Sequence, residues 1–246
     1  MDQRKRYRKI GLLVFGFTLL LILPFTVFRK SVPQPRQIPL NDTIQPYAVP
    51  KDEAAALIQK ASENYFYHEF KEGAENYLKA IAIYESRQDY SNMARTYRSL
   101  GDLYLWAQDP EKAEQSYTEA ANYHMQTRDA QGQANDLMQI GEIYRKSKQH
   151  DTAEQWYQKS LMALEGTGMN RVFGRVHEAR GHNFWENEKV PEAKRAFAHA
   201  RRAYSQLNYR LGVDHMTNVL KRLEVKQDRL DRKAARQAAS APVSSP

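Results

Sequence analysis

The chain has 246 residues, a net charge of +8 and no cysteine, which removes disulfides, thiolate metal sites and thiol nucleophiles. The positive surplus lies at the two ends. Residues 1–50 hold eight Lys/Arg against Asp2 and Asp42, residues 51–219 hold 22 basic against 24 acidic groups, and the segment after Val219 restores a surplus of +4. A body so near neutrality offers no track for a phosphate backbone, so nucleic acid is not expected as a partner.

The first nine residues, MDQRKRYRK, are basic, and Ile10 to Phe28 follow without one charged side chain. A helix over 10–28 would be about 28 Å long, close to the roughly 30 Å of a bilayer's hydrocarbon core. The stretch lacks the short apolar region and small-residue exit of a cleavable signal, so an uncleaved transmembrane helix is expected. Arg4, Lys5, Arg6, Arg8 and Lys9 precede it, whereas only Arg29, Lys30 and Arg36 follow closely. This bias predicts residues 1–9 in the cytoplasm and the remainder outside, in the periplasm of a bacterial inner membrane. Residues 29–50 hold five of the ten prolines, which predicts a semi-rigid, extended linker.

From residue 51 the chain repeats itself. SLGDLYLWAQDPEKAEQSYTEA returns as QIGEIYRKSKQHDTAEQWYQKS and as ARGHNFWENEKVPEAKRAFAHA. Ala61, Gly101, Gly141 and Gly181 form one series; Gly73, Ala113, Ala153 and Ala193 form another. The series Tyr77, Tyr117, Tyr157 and Phe197 and the series Ala80, Ala120, Ser160 and Ala200 keep the same step of forty. A missing or minimal side chain lets two helices approach, and an aromatic ring fills the space beside it. Asp109-Pro110-Glu111 reads as a helix start, and Gly166 and Gly168 break the chain between helices.

The spacing of small and aromatic positions resembles the tetratricopeptide repeat, with a longer period than that family's usual one. The first repeat departs from the pattern, with Asn64 where the aromatic of the first helix belongs and Gly73 where alanine belongs. The resemblance implies an all-α, TPR-like solenoid of helical hairpins, of about four repeats at 51–89, 90–129, 130–169 and 170–212. A C-terminal capping helix at 213–236 is expected to bury Met216, Val219, Leu220, Leu223 and Leu230. Residues 237–246 then read as a disordered tail.

In this family the first helix of each hairpin lines the binding groove. The resemblance therefore implies partner-binding positions at Arg95, Arg98, Asp102, Leu105 and Trp106, at Asn135, Met138, Glu142 and Arg145, and at Arg175, Glu178, His182 and Trp185. Such a mixed surface with Met and Trp anchors suits extended or helical protein segments. An intrahelical Arg98–Asp102 pair is the competing expectation for those two residues. Asp102 and Glu142 stand where the family's carboxylate clamp has asparagine, so an acidic C-terminal tail is an unsuitable ligand.

The stretch VHEARGHNFWENE resembles a zinc-hydrolase motif, but His177 and His182 are five apart, about 140° around a helix, and cannot share one ion. Arg180 stands where the two preceding repeats have Leu100 and Ile140. The seven histidines are scattered, and neither a Gly-rich phosphate loop nor a G-x-S-x-G sequence is present. No catalytic residue, cofactor or metal ligand is expected. The expected function is a membrane-anchored scaffold or adaptor for protein partners, in the assembly or stabilisation of an envelope or inner-membrane complex. The alternatives are a cytosol-facing receptor of the same fold and a metal-dependent hydrolase using His177, Glu178 or His182.

Overall fold

The computed structural model describes residues 52–240. The expected cytoplasmic segment 1–9, transmembrane helix 10–28 and linker 29–50 lie outside the described residues, as do residues 241–246 of the expected tail. Among the described residues, no helix is long and apolar enough to cross a membrane.

Among the described residues there are nine helices: α1 (Glu53–Phe66), α2 (Phe70–Ser86), α3 (Tyr90–Trp106), α4 (Pro110–Gln126), α5 (Ala130–Lys146), α6 (His150–Ala163), α7 (Arg171–Glu186), α8 (Val190–Gln206) and α9 (Arg210–Ser240). Each packs on the next, so the architecture is an all-α solenoid of hairpins. The last helix includes residues 237–240, which the sequence reading placed in the tail.

All the turns but the α6–α7 connection follow one design. A left-handed, non-glycine residue with φ between 54° and 61° stands at His68, Gln88, Gln108, Arg128, Lys148, Glu188 and Asn208, and Gly168 falls in the same twenty-residue series. Around Gln108, the Asp109 N–H donates to the Tyr104 carbonyl at 2.9 Å and the Gln108 N–H to the Leu105 carbonyl at 3.2 Å. This pair of bonds is the Schellman arrangement, which satisfies the carbonyls left over at a helix end. The residue that closes one helix also opens the next. Asp89, Asp109 and Asp129 accept from the backbone N–H three residues on, at 3.1, 3.1 and 2.8 Å.

Within hairpins the small–aromatic pairs set the spacing. A Cβ added at Gly101 would meet the Tyr117 ring at 2.9 Å, one at Gly141 the Tyr157 ring at 2.6 Å, and one at Gly181 the Phe197 ring at 2.6 Å. These rings are fully buried. Asn64, in place of an aromatic, is also buried; it accepts from Asn76 at 3.0 Å and donates to Glu69 at 2.6 Å.

At the C-terminal end, Met216, Val219, Leu220 and Leu223 of α9 pack against Phe197 and Tyr204 of α8. Leu230, expected on that buried stripe, is exposed. It lies two turns beyond Leu223, and no described helix covers the apolar side of α9 there.

Candidate functional site

The first helices of successive hairpins, α3, α5 and α7, carry the thirteen positions assigned to the groove. Arg98 does not pair with Asp102. It donates from Nε to Asp136 and at 2.8 Å to the Gly132 carbonyl, both on α5. Asp136 is fully buried and its second oxygen lies 2.7 Å from His124 Nδ1 on α4. Arg98 is therefore a bracket between two hairpins, because a buried carboxylate needs a cation and hydrogen bonds to offset its lost hydration. Asp136 and His124 escaped the sequence reading.

Asp102 and Glu142 accept from the hydroxyls of buried tyrosines. Tyr117 donates to Asp102 at 2.5 Å and Tyr157 to Glu142 at 2.6 Å. In the first hairpin the equivalent pair is Ser62 and Tyr77, 3.4 Å apart, and in the fourth it is His182 edge-on to Phe197, with ring centroids 5.0 Å apart. Burial, and then the adjacent carboxylates, hold both phenols well above the ordinary tyrosine range. Burial raises the Asp102 pKa despite the bond from Tyr117. For Glu142 burial also pushes upward, but hydrogen bonds from Arg145 and Tyr157 outweigh it and the pKa is lowered.

Between α5 and α7 lies a shallow hollow of about 280 Å³ lined by Met138, Gln139, Glu142, Arg175, Glu178, Ala179 and His182. Five of these seven were assigned from sequence. Their charges are largely engaged: Arg145 binds Glu142 at 2.6 Å and also Glu186, while Arg175 donates to Asn135 at 2.9 Å across the hairpin boundary. Met138, expected as a surface anchor, is 3% exposed and packs against Val176 and Ala179. Leu105 is half-buried beside Ile140 and Ile143, and Arg95 is exposed. Trp106 is 61% exposed, with its ring edge-on to Tyr65 at 5.8 Å. Trp185 lies against Phe197, with the Lys226 ammonium 6.0 Å from its ring.

A larger open hollow, about 770 Å³, lies where α3 meets α4 and is lined by Leu78, Tyr97, Tyr104, Lys112, Glu114 and Glu119 among others. Its lining comes from three helices, α2, α3 and α4, so no single helical register reveals it.

His177 and His182 go to different places. His177 is buried between Phe173 and His199, with ring centroids at 4.5 and 4.9 Å, and its Nδ1 has no hydrogen-bond partner among the described residues. Burial, then the charges of Arg180 and His199, push its pKa down to about 3. The hydrolase alternative thereby loses His177, which faces the core. His182 is on the hollow; burial is the main cause of its lowered pKa, with Glu178 opposing. Arg180, the charge at an apolar position, donates twice at 3.0 Å from Nε to the two oxygens of Glu154 on α6.

Residues 92–166 match the tetratricopeptide repeat family model. No curated protein matches the sequence. Among solved structures the chain is similar to the apo form of RapI, with 13% identity and a TM-score of 0.64, covering 72% of this chain and 49% of that one. It is also similar to aspartyl phosphate phosphatase F from Bacillus subtilis, with 12% identity and a TM-score of 0.61 over 68% of this chain and 45% of that one. For BtubC from P. vanneervenii the values are 16% and 0.56, over 78% and 85%. The chain thus spans about half the length of the first two. These likenesses fix the fold as a TPR-like helical-repeat solenoid.

Proposed function

We propose that the chain is a non-enzymatic scaffold that binds segments of other proteins on the face formed by α3, α5 and α7. Residues 10–28 anchor it in an inner membrane with the repeats on the periplasmic side, where it assists the assembly or stabilisation of an envelope complex. The observation that carries this reading is the α5–α7 hollow, to which consecutive hairpins contribute Met138, Glu142, Arg175, Glu178 and His182. Arg98 and Arg145 are already held by carboxylates. The face is therefore a shaped, internally neutralised surface, with the exposed Trp106 as an apolar anchor. Such a surface favours a segment of mixed polarity over an acidic tail.

Photo-crosslinking residues placed at Trp106 and at Arg175, in intact membranes, should yield the same discrete adduct. Met162, exposed on α6, serves as the off-face position and should yield none. Equal labelling from all three, or no adduct from the first two, overturns the reading. The membrane arrangement is tested separately by reporter fusions after Pro50. Phosphatase activity without fluorescence is expected, and the reverse result would favour the cytosol-facing receptor.

A further inference from the structure

Glu178 and His182 are four residues apart on α7, and therefore share one face of that helix. The turn at Asn208 directs α9 back along α8, and this brings His215 to the same place. One potential ligand atom from each of Glu178, His182 and His215 lies within 4.8 Å of the others, and His215 Nε2 is 3.4 Å from Glu178 Oε1. We infer that Glu178, His182 and His215 form a binding site for a zinc-class divalent cation, which ties the start of α9 to α7.

Two imidazoles and one carboxylate are a ligand set suited to zinc and its first-row neighbours, and unsuited to calcium or magnesium, which require oxygen ligands. Around a tetrahedral ion with bonds of about 2.0–2.2 Å, ligand atoms lie roughly 3.3–3.6 Å apart. The trio is thus within a small side-chain adjustment of closure, and His215, with its side chain 57% exposed, is free to make it. The other two ligands are held from behind. Tyr204 donates to Glu178 Oε2 at 2.6 Å, leaving Oε1 toward His215, and the T-shaped contact with Phe197 restrains the ring of His182. Such outer contacts orient ligands and strengthen a site.

The surrounding charge also suits a cation. Glu142 and Glu186 both act on His182, and the nearby Arg145 is bound by these same two carboxylates. Arg175, on the hollow's rim, is directed to Asn135. With three protein ligands, a fourth coordination position remains for water or a partner's side chain.

The inference is independent of the partner-binding reading, because it is tested on the full chain alone. Untagged, chelator-treated protein is titrated with Co2+ and followed by its visible ligand-field absorption, with zinc used to displace it. One ion per chain is expected, in a band of tetrahedral intensity. His215→Gln and His182→Gln should each weaken binding by about tenfold or more, Tyr204→Phe should weaken it by about tenfold, and His199→Gln should leave it unchanged. Zinc at one fixed concentration should raise the melting temperature of the unaltered chain more than that of His215→Gln, whose exposed position leaves folding intact by circular dichroism. Absence of a band in the unaltered chain, or a band undiminished in His215→Gln, reduces the cluster to a Glu178–His215 ion pair and overturns the proposal.

Discussion

Arg180 on α7 grips both carboxylate oxygens of Glu154 on α6, at the place where the preceding hairpin boundary uses a hydroxyl. There Tyr144 donates to Glu114 at 2.8 Å, and Ile140 fills the position equivalent to Arg180. The fourth hairpin has Phe184 instead of Tyr144, so the donor has moved four residues along the helix and become a cation. With side chains only 20% and 15% exposed, the pair is largely withdrawn from water. Arg180→Ile should therefore cost about 3 kcal/mol, because Glu154 is left desolvated without a cation, with only the Gln158 amide donating to it. Adding Phe184→Tyr transplants the earlier solution and should recover about 1 kcal/mol or more of this. Urea denaturation of the single and double variants, read as a double-mutant cycle, measures both effects; additive losses would show that the two positions do not substitute for each other.

The tyrosine–carboxylate bonds make a second prediction. Tyr157 is fully buried and its hydroxyl serves Glu142, which Arg145 also holds. Tyr157→Phe should lose about 1–2 kcal/mol, the amount expected when a charged acceptor loses one donor but keeps another. Tyr117→Phe should cost no more than this, because the exposed Asp102 keeps a hydrogen bond from Gln139 although Arg98 is turned toward Asp136. Chemical denaturation of the two variants ranks them, and an insensitive Tyr117→Phe would mean that water replaces the hydroxyl without loss.

Size-coded features of this fold were legible in the sequence. Gly141 and Tyr157 could be paired on paper because a missing side chain and a bulky one at fixed spacing leave one packing solution. Features that depend on the angle between helices were not. Met138 looked like a groove residue by its register, but α7 lays Val176 and Ala179 over it. Arg98 had an acidic neighbour one turn away and chose another on the next hairpin, Asp136, which lies deeper and has more to lose without it. His215 gave no signal, since its approach to Glu178 follows from the path of α9. Leu230 satisfied the helical spacing but lies past the end of its partner surface.

The turns carry a prediction of the opposite sign. Gln108 and Lys148 adopt φ of 60° without being glycine, a conformation in which Cβ crowds the following carbonyl. Their carbonyl-capping bonds are formed by backbone N–H groups alone, so glycine preserves them. Gln108→Gly and Lys148→Gly should each stabilise the solenoid by about 0.5–1 kcal/mol, after the greater chain entropy of glycine is allowed for. Both together should add, the sites being two turns apart along the chain and without a shared partner. Melting temperatures of the two singles and the double decide it, and a fall in either single would show that its side chain contributes more than its strain removes.

His177 links the packing of the fourth hairpin to pH. Its ring lies between Phe173 and His199, with Arg180 the nearby permanent charge and Nδ1 without a hydrogen-bond partner among the described residues. The unfolded chain takes up a proton here below the ordinary histidine value near 6.5, while the folded chain refuses it until about pH 3. Within that window the unfolded state binds more protons, so stability falls as pH falls, by up to about 1.4 kcal/mol per unit. Between pH 7.5 and pH 5 the contribution from this residue is a loss of about 2 kcal/mol. The equivalent positions in the first and third hairpins are Leu57 and Leu137, which makes His177→Leu the natural comparison. That variant should be the more stable protein at neutral pH by about 1 kcal/mol, because it removes an unsatisfied buried nitrogen. It should also have a flatter stability profile toward acid. Urea titrations at a series of pH values, in chelator so that no cation contributes, separate the two effects. An unchanged acid slope in His177→Leu would assign the pH dependence to other groups.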